Sequence, residues 1–312
     1  IEVGFEGGHG AAAVMGESFN RIGFADGLDL GLAMATIGLL TSTLIGSALV
    51  VIGRAFGWFV PLLPNNKAFS EPVKKLNLFK QLQLLVVNLG LVGSAVSLGF
   101  TFLLILRLIG SFFGGVLQEV FSIFPVFPLA LIGSLLVRYF LERSNNADLV
   151  SGILQREIGI LATDLLITTA MVGLDLPLLL NDWIPLAILS FGGLSWNLIG
   201  MFLFARICFK DKWFERSIVE FGNATGVAAS GLLLLRLTDP TDRTNTLPIF
   251  SIKQLVLQPL LSGGLITVIA PLAVTKFGLK GWTELSAFLT IGFLLLAFLL
   301  QKTPFYNELE NS

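Results

Sequence analysis

The sequence predicts an all-α polytopic membrane protein. Hydrophobic residues make up 54% of its 312 positions and charged residues only 13%, against about 25% charged residues in soluble domains. The mean hydropathy is +0.84, and the apolar residues form continuous runs near the ~20 residues that a helix needs to cross a bilayer. Transmembrane β-strands are shorter and alternate in polarity, so these runs indicate helices.

Composition also excludes several classes of site and partner. Cys208 is the single cysteine and His9 the single histidine, so the chain cannot form an internal disulfide and no zinc site is expected. A net charge of −1 indicates no nucleic-acid partner. The chain starts at Ile1 with neither an initiator methionine nor the features of a signal peptide. We therefore expect further sequence before Ile1.

Seven apolar segments are predicted to span the membrane. Glycine is frequent inside them, because small residues let membrane helices pack closely. In chain order the segments are residues 30–53, 84–106, 123–140, 157–174, 184–208, 248–274 and 283–300.

The basic residues favour one orientation of these segments. If the loop after residue 53 is cytoplasmic and the spans alternate, sixteen of the 20 basic residues fall on the cytoplasmic side. Arg21, Arg107, Lys276 and Lys280 remain on the external side. This asymmetry follows the positive-inside rule and therefore predicts the orientation.

Two short apolar stretches do not fit the alternation of full spans. Residues 1–27 and 217–236 are interrupted by glycine and contain apolar runs that are too short to cross a bilayer. In the predicted orientation the first precedes an out-to-in helix and the second an in-to-out helix. Two such stretches in opposite topology are typical of an inverted-repeat secondary transporter with two re-entrant loops.

The first stretch contains the string Gly7-Gly8-His9-Gly10. Adjacent glycines expose backbone amide and carbonyl groups and let a solute or ion approach closely. Within the bilayer such backbone is tolerated only when it is buried in protein or lines an aqueous cavity, and His9 has a ring that can donate to a carboxylate. The alternative is a surface loop that carries an exposed histidine.

The second stretch contains a run of small and polar residues from Gly222 to Gly231. Its neutral oxygens suit sodium or a hydrogen-bonded solute, and a helix that starts after Gly226 would direct its positive end at an anion. The alternative is a small-residue surface that packs against another helix. The residues of this run that are predicted to bind solute are Asn223, Ala224, Thr225, Gly226 and Ser230.

Asp164 lies well inside a predicted span. An ionisable residue at such a position is costly, is expected to face the interior of the helix bundle, and marks a functional site by default. Asp164, Thr163 and Thr225 form the predicted set of ligands for a sodium ion. The alternative is a structural aspartate that is protonated or bonded to a neighbouring helix.

The string Phe5–Ala13, which contains Gly7-Gly8-His9-Gly10, resembles the signature of the bacterial glutamate:sodium symporter family. The resemblance continues through Gly23-Phe24 and Leu32–Leu39, and the hydropathy resembles the second repeat of the family from about 84 to 277. It implies two inverted five-helix domains, each with a re-entrant loop. It also implies that the two short stretches are these loops and meet near the solute and sodium sites.

The resemblance implies a division of the chain into four parts. Residues 1–53 are the remnant of a first repeat, with a re-entrant loop and one transmembrane helix, and residues 54–83 are a cytoplasmic linker. Residues 84–277 are a second repeat with five transmembrane helices and a re-entrant loop, and residues 278–312 are an extra transmembrane helix with a cytoplasmic tail. About four helices would then precede Ile1, and the chain without them is not expected to transport.

The function that the resemblance implies is sodium-coupled symport of glutamate or a related small carboxylate. The protein is then a multi-pass protein of the bacterial inner membrane, with Na+, a small anionic solute, membrane lipid and a second copy in a homodimer as its expected partners. The extra last span leaves a passive channel or a non-transporting membrane sensor as the alternative. An enzyme is not expected, because the sequence has no second histidine, no paired cysteines and no serine–base arrangement.

Overall fold

Helices form all the regular structure of the described residues in the computed structural model, which are 1–60, 78–172, 175–209, 212–258, 260–261 and 264–300. A 3-10 turn at Ala147–Leu149 and a π-helical turn at Gly200–Phe204 accompany the α-helices. The α-helices of these ranges are α1 (Glu2–Phe5), α2 (Gly8–Arg21), α3 (Gly27–Ala55), α4 (Leu78–Phe113), α5 (Gly115–Ile123), α6 (Phe127–Arg143), α7 (Gly152–Val172), α8 (Leu176–Asn181), α9 (Trp183–Ile199), α10 (Ala205–Cys208), α11 (Trp213–Thr225), α12 (Ala228–Thr238), α13 (Thr246–Leu257) and α14 (Leu265–Leu300). The predicted all-α class is confirmed for this part of the chain.

Four helical stretches of the described residues are long and apolar enough to cross a membrane. Their large apolar side chains lie on the outside of the molecule, where Val51 is 69%, Phe112 85% and Phe191 73% exposed. Exposing such surface to water costs about 25 cal/mol per Å², whereas lipid accepts it. This is the surface of a helical membrane protein. The four stretches are Gly27–Ala55, Leu82–Phe113, Trp183–Cys208 and Ala273–Leu299.

The predicted span 248–274 is wrong as a single helix. The structure ends α13 at Leu257 and begins α14 at Leu265. The sequence between these helices contains Pro259, and proline lacks the amide hydrogen that would continue a helix. This part of the chain is therefore two helices separated by a break.

The predicted span 123–140 also begins later than expected. Helix α5 ends at Ile123, and α6 begins only at Phe127. Pro125 stands between them, after Phe124 in an extended conformation, because the residue before a proline is kept out of the helical region. The first residues of this predicted span therefore form a corner between two helices.

The predicted linker 54–83 is described only at its ends. Helix α3 continues to Ala55, and α4 already begins at Leu78, so the polar connection is shorter than predicted. Residues 61–77 lie outside the described residues, as do the end of the predicted span 157–174 and the predicted tail from 301. The basic residues of the orientation argument that lie outside the described residues are Lys67, Lys74, Lys75, Lys210 and Lys302.

Helix α14 contains a sharp break at Gly278. The φ and ψ angles there are 75° and 162°, outside the helical region, and glycine adopts such angles without steric cost. The break gives α14 two arms. It falls at the predicted boundary between residues 277 and 278, where the second repeat was expected to end.

Helices α2 and α3 fold back on each other in antiparallel fashion. Gly16 of α2 lies against Leu28 at the start of α3, and Ala12 lies against Gly31 one turn further on. The turn between the helices passes through Gly23, which has φ +86°. This packing brings the start of α2 to the middle of α3.

A buried asparagine holds α7 against α4. The amide nitrogen of Asn88 donates to the carbonyl oxygens of Leu84 and Leu149 at 2.8 and 3.3 Å. Its amide oxygen accepts from the backbone of Ser151 and the side chain of Gln155, both at 3.1 Å. Asn88 is 0% exposed, so these bonds replace those it would make with water.

An aromatic cluster fixes the start of α11 to the end of α3. Phe214 stacks on Phe59 with their ring centroids 5.2 Å apart. The guanidinium carbon of Arg206 lies 4.3 Å from the ring centroid of Trp213, a cation–π contact. The cluster therefore positions the hairpin that α11 begins.

Candidate functional site

The first tip, residues 6–10, is a reversal of the chain between α1 and α2. Gly8 has φ +63°, a left-handed conformation that favours glycine. A side chain on Gly7 would collide with the carbonyl of Val3 and with Ala11. The paired glycines are therefore needed for a reversal this tight.

The second tip, residues 222–230, joins α11 to α12. These helices run antiparallel, because Gly222 lies against Gly231 while Val219 and Leu235 pack in one apolar cluster further from the tip. The predicted second loop is therefore a helical hairpin. It places a short non-helical turn at its end.

Ser230 closes this hairpin internally. Its hydroxyl accepts from the amide of Val227 at 2.9 Å and donates to the carbonyl of Gly222 at 3.0 Å. The side chain is 5% exposed. Ser230 was predicted to bind solute, but its geometry is that of a residue that holds the two arms of the hairpin together.

The two tips meet each other on one side of α3. A Cβ atom on Gly8 would collide with Cγ1 of Val227, and a Cβ atom on Gly38 of α3 would collide with the carbonyl oxygen of Thr225. Both contacts require glycine for the close approach of backbone. The structure therefore brings together two strings that are more than 200 residues apart in sequence.

His9 is fixed in the first tip by a contact with α3. Its Nε2 lies 3.1 Å from Oγ1 of Thr36, and Thr36 donates its hydroxyl hydrogen to the carbonyl of Leu32 at 2.9 Å. The Thr36 oxygen therefore accepts from Nε2–H of His9. His9 is 5% exposed, so the alternative of an exposed histidine in a surface loop is wrong.

A cavity of about 460 Å³ lies where the two tips meet α3 and α7. The first turns of both α2 and α12 line it, and the first amide groups of a helix have no partner within the helix. Glu6 is the carboxylate among its described lining residues. These residues are Glu6, Gly7, His9, Gly10, Leu39, Ala162, Thr163, Leu166, Asn223, Val227, Ala228, Ala229 and Gln258.

A chain of polar side chains crosses from the first tip to α13. Nδ2 of Asn223 donates to Oε1 of Glu6 at 3.3 Å, and Nε2 of Gln254 donates to Oδ1 of Asn223 at 2.6 Å. One turn earlier on α11, Glu220 accepts from Nζ of Lys253 at 2.6 Å. The two tips and α13 are therefore linked by hydrogen bonds as well as by apolar contact.

The predicted solute residues divide into two groups. Gly7, His9, Gly10 and Asn223 line the cavity, with Gly8 directly beneath them against Val227. The others face elsewhere. Ala224 lines a separate cavity of about 300 Å³ beside α9, Thr225 accepts from Asn197 at 3.0 Å, and Gly226 packs on Ser42.

The predicted sodium ligands are not brought together. Thr163 lines the cavity, but its hydroxyl donates to the carbonyl of Gly159 at 2.8 Å. Asp164 is exposed on the surface of α7, so the expectation that it faces the bundle interior is wrong, and Thr225 is fully buried against α9. The described residues also contain no group of three or more His, Cys, Asp or Glu side chains that could hold a metal ion.

Sequence reasoning assigned no site role to Glu6, Gln254 or Gln258. Glu6 stands inside the Phe5–Ala13 string, and an acidic residue at a glycine-rich reversal was a usable signal. Gln254 and Gln258 are four positions apart, a spacing that places two side chains on one face of a helix. Two amides on one face, with three apolar residues between them, were the signal for this part of the site.

The chain was compared with protein-family models, curated proteins and solved structures. None of the three comparisons found a match. The function is therefore inferred from the sequence pattern and the geometry of the chain itself.

Proposed function

We propose that the protein takes part in sodium-coupled symport of a small carboxylate that also carries an amino group, with glutamate as the first candidate. The observation that carries this proposal is the cavity between the two tips, which the first turns of α2 and α12 both line. The amide groups and dipoles of two helix N-termini provide positive potential for a carboxylate. Glutamate itself comes from the resemblance of the Phe5–Ala13 string.

Glu6 supports an amino acid as the solute. The carboxylate of Glu6 borders the same cavity and accepts from Asn223 at 3.3 Å. A negative charge beside an anion site opposes a simple dicarboxylate, whereas it pairs with the ammonium group of an amino acid. The positive helix ends and Glu6 would then bind the two charged groups of one zwitterion.

The charges of Glu6 and of the solute also support coupling to sodium. An acidic solute adds negative charge to a site that already contains Glu6, and a bound Na+ would offset it. Inward movement of one positive charge is favoured by about 2.3 kcal/mol per 100 mV of membrane potential. In this proposal the ion is bound by neutral oxygens near the tips, while Asp164 is not a ligand.

The arrangement of the tips supports a transporter with two re-entrant loops. Each tip contains non-helical backbone between two helices, at Gly8 in the first tip and at Gly226 and Val227 in the second. Non-helical backbone at membrane depth occurs only in protein or around an aqueous cavity. Paired short helices that meet at a site are typical of inverted-repeat transporters of the bacterial inner membrane. Movement of the helices around the two tips would expose the solute to each side in turn.

The test is uptake of radiolabelled L-glutamate by the full-length protein in proteoliposomes. An inward sodium gradient should drive uptake against the glutamate gradient, whereas an equal potassium gradient should not. Uptake that ignores the sodium gradient would exclude the coupling. If glutamate equilibrates across the membrane without accumulating, the result supports a passive channel. If the protein neither binds nor takes up glutamate, a non-transporting membrane sensor remains as the alternative.

Asn223 provides the matched test of the site. Asn223→Ala removes the side chain that joins Glu6 to Gln254, and we expect sodium-driven uptake to fall at least tenfold. Asn181→Ala changes an exposed asparagine at the end of α8 and should leave uptake unchanged. If the two variants take up glutamate at the same rate, the cavity is not the solute site.

A further inference from the structure

The end of α10 and the start of α11 are joined by two arginines, each of which stacks on an aromatic ring of the other segment. The guanidinium carbon of Arg206 on α10 lies 4.3 Å from the ring centroid of Trp213, the first residue of α11. In the other direction, the guanidinium carbon of Arg216 on α11 lies 5.3 Å from the ring centroid of Phe209, the residue after α10. These cation–π contacts hold both guanidinium groups at one corner of the molecule.

No ion pair neutralises the cations of this corner. Arg206, Lys212 and Arg216 take part in none of the ion pairs of the described residues. Glu215 is a nearby carboxylate, but its Oε2 and the Nε of Arg216 are both buried without a hydrogen-bond partner among these residues, so the two side chains do not satisfy each other. Arg216 is half-buried, and its terminal nitrogens are the donors that a ligand can use.

An apolar cavity of about 300 Å³, the lipid cavity below, lies beside these arginines and against α11. Phe209 is both the ring under Arg216 and part of the cavity wall. Met201 and Phe221 are among the apolar side chains of the wall. The lipid cavity therefore joins an apolar space to a cationic corner.

The polar side chains of the wall are occupied within the protein. Nδ2 of Asn197 donates to Thr225 at 3.0 Å, and Ser217 donates to a carbonyl of its own helix at 3.1 Å. The carboxylate of Glu220 is paired with Lys253 at 2.6 Å. The wall therefore presents a ligand mainly with apolar surface, while the cations lie at its edge.

The rim of the lipid cavity belongs to a membrane-facing surface. Trp196 lines the cavity and is 54% exposed, and it lies in the stretch Trp183–Cys208, which is long enough to cross a membrane. Arg206 stands at the end of this stretch, on the predicted cytoplasmic side, where an exposed arginine reaches the headgroups. Basic pockets between membrane helices on that side bind anionic lipid headgroups.

The alternative is a general anchor at the membrane interface. Arginine and tryptophan are frequent at that level in many membrane proteins, whatever lipid surrounds them. An anchor requires no cavity and holds no particular lipid molecule. A site and an anchor therefore differ in a measurable way, because only a site saturates and only a site is lost when its cavity is filled.

We propose that the lipid cavity binds one anionic phospholipid, with an acyl chain in the cavity and the phosphate at Arg206 and Arg216. Ala224 of the second tip lines the same cavity, so the bound lipid packs along α11 up to that tip. Asn223, the preceding residue, lines the central cavity. The lipid therefore supports the helix that carries Asn223, and this holds whatever solute the central cavity binds.

The first experiment measures retention of radiolabelled phosphatidylglycerol by the purified full-length protein in detergent, with phosphatidylcholine as the zwitterionic comparison. We expect saturable binding that favours phosphatidylglycerol. Arg206→Gln and Arg216→Gln should each lower its affinity roughly tenfold, the size of a charge-assisted hydrogen bond, and remove the preference over phosphatidylcholine. Arg156→Gln is the control, because Arg156 is exposed, lies on the predicted cytoplasmic side and pairs with Glu157.

Gly200→Leu tests the cavity without a change of charge. Gly200 lines the cavity, and a Cβ atom built there meets no described atom within 4 Å outside its own helical backbone and its chain neighbours. The leucine side chain should therefore fill space that the acyl chain needs, and we expect weaker binding of both lipids. Gly192→Leu is the matched control, because Gly192 is an exposed glycine of α9 with the same free space. Unfolding temperatures in phosphatidylcholine show whether each variant is folded.

Cys208 provides an independent readout, because it also lines the cavity. Alkylation by N-ethylmaleimide, followed on the peptide that contains Cys208, should be slowed by phosphatidylglycerol in the wild type and not in Arg206→Gln. Equal losses of lipid binding in Arg156→Gln and Arg216→Gln, with wild-type binding by Gly200→Leu, would reduce the arginines to a general anchor. Displacement of the lipid by soluble glycerol phosphate would show a site for phosphate alone and overturn the role of the cavity.

Discussion

Gly8 and Val227 are in direct contact, although 219 positions separate them in the sequence. Gly8 is the turn of the first tip and Val227 the turn of the second. Because the contact leaves no space for a Cβ atom on Gly8, the approach of the two tips depends on the glycine. Gly8 also has φ +63°. Glycine is therefore required at this position for two separate reasons, the lack of space for a Cβ atom and the left-handed backbone.

We therefore expect Gly8→Ala to destabilise the protein by about 1–3 kcal/mol, from the left-handed backbone and the collision with Val227. Thermal unfolding in detergent measures the effect. Gly10→Ala is the matched control within the same string, because no described atom outside the backbone of its own helical turn and its chain neighbours lies within 4 Å of a Cβ atom built there. Adding Val227→Ala to Gly8→Ala should restore only the steric part, and full restoration would contradict the backbone argument.

Glu6→Gln tests the recognition of an amino group. The variant keeps the shape of the side chain and removes its charge, so it should lower the affinity for L-glutamate roughly tenfold or more, the usual size of a charge-assisted hydrogen bond. Glutarate lacks the amino group, and its binding should improve or stay the same. Competition of each compound against labelled glutamate gives both values, and equal losses for the two compounds would show that Glu6 does not contact the ammonium group.

Asn88→Ala tests the connection between α4 and α7. The change removes a fully buried amide with four hydrogen bonds, three of which link α4 to Leu149, Ser151 and Gln155 at the start of α7. We expect a loss of about 1–3 kcal/mol and faster proteolysis near residues 146–155. Ser97→Ala is the control, because the Ser97 hydroxyl bonds only its own helix and is exposed. Unchanged proteolysis in Asn88→Ala would show that the asparagine does not hold these helices together.

Glu215 predicts a dependence of stability on pH. Burial raises the pKa of this carboxyl, and Asp239 raises it further, while a backbone hydrogen bond, Lys212 and Arg216 lower it. Its Oε2 is buried without a hydrogen-bond partner in the described residues. A raised pKa in the folded state means that the protonated form stabilises the fold at low pH, and this contribution is lost as the pH rises through the folded-state pKa.

The corresponding experiment compares the unfolding temperatures of the wild type and of Glu215→Gln from low to neutral pH. Glu215→Gln should be more stable than the wild type at neutral pH and equal to it at low pH. Glu157→Gln changes an exposed carboxylate paired with Arg156 and should follow the wild-type curve. If the unfolding temperature of Glu215→Gln changes with pH as steeply as that of the wild type, another group causes the pH dependence.

The sequence alone determined the class of the protein and the position of its two tips. A long apolar run that crosses a bilayer forms a helix, because its backbone N–H and C=O groups must hydrogen-bond to each other where water is absent. Glycine strings such as Gly7-Gly8 mark places where a helix cannot continue smoothly. The break within 248–274 was also readable, because Pro259 stands at its start, yet apolar composition outweighed that signal in the prediction.

Only the tertiary structure decided which side chains share the cavity. Successive residues of an α-helix point about 100° apart, so Thr163 lines the cavity while Asp164, the next residue, does not. The rotation of each helix about its axis is set by packing against its neighbours, which a single sequence does not contain. For the same reason Glu6 and Asn223, far apart in sequence, are joined by a hydrogen bond that only the meeting of the two tips creates.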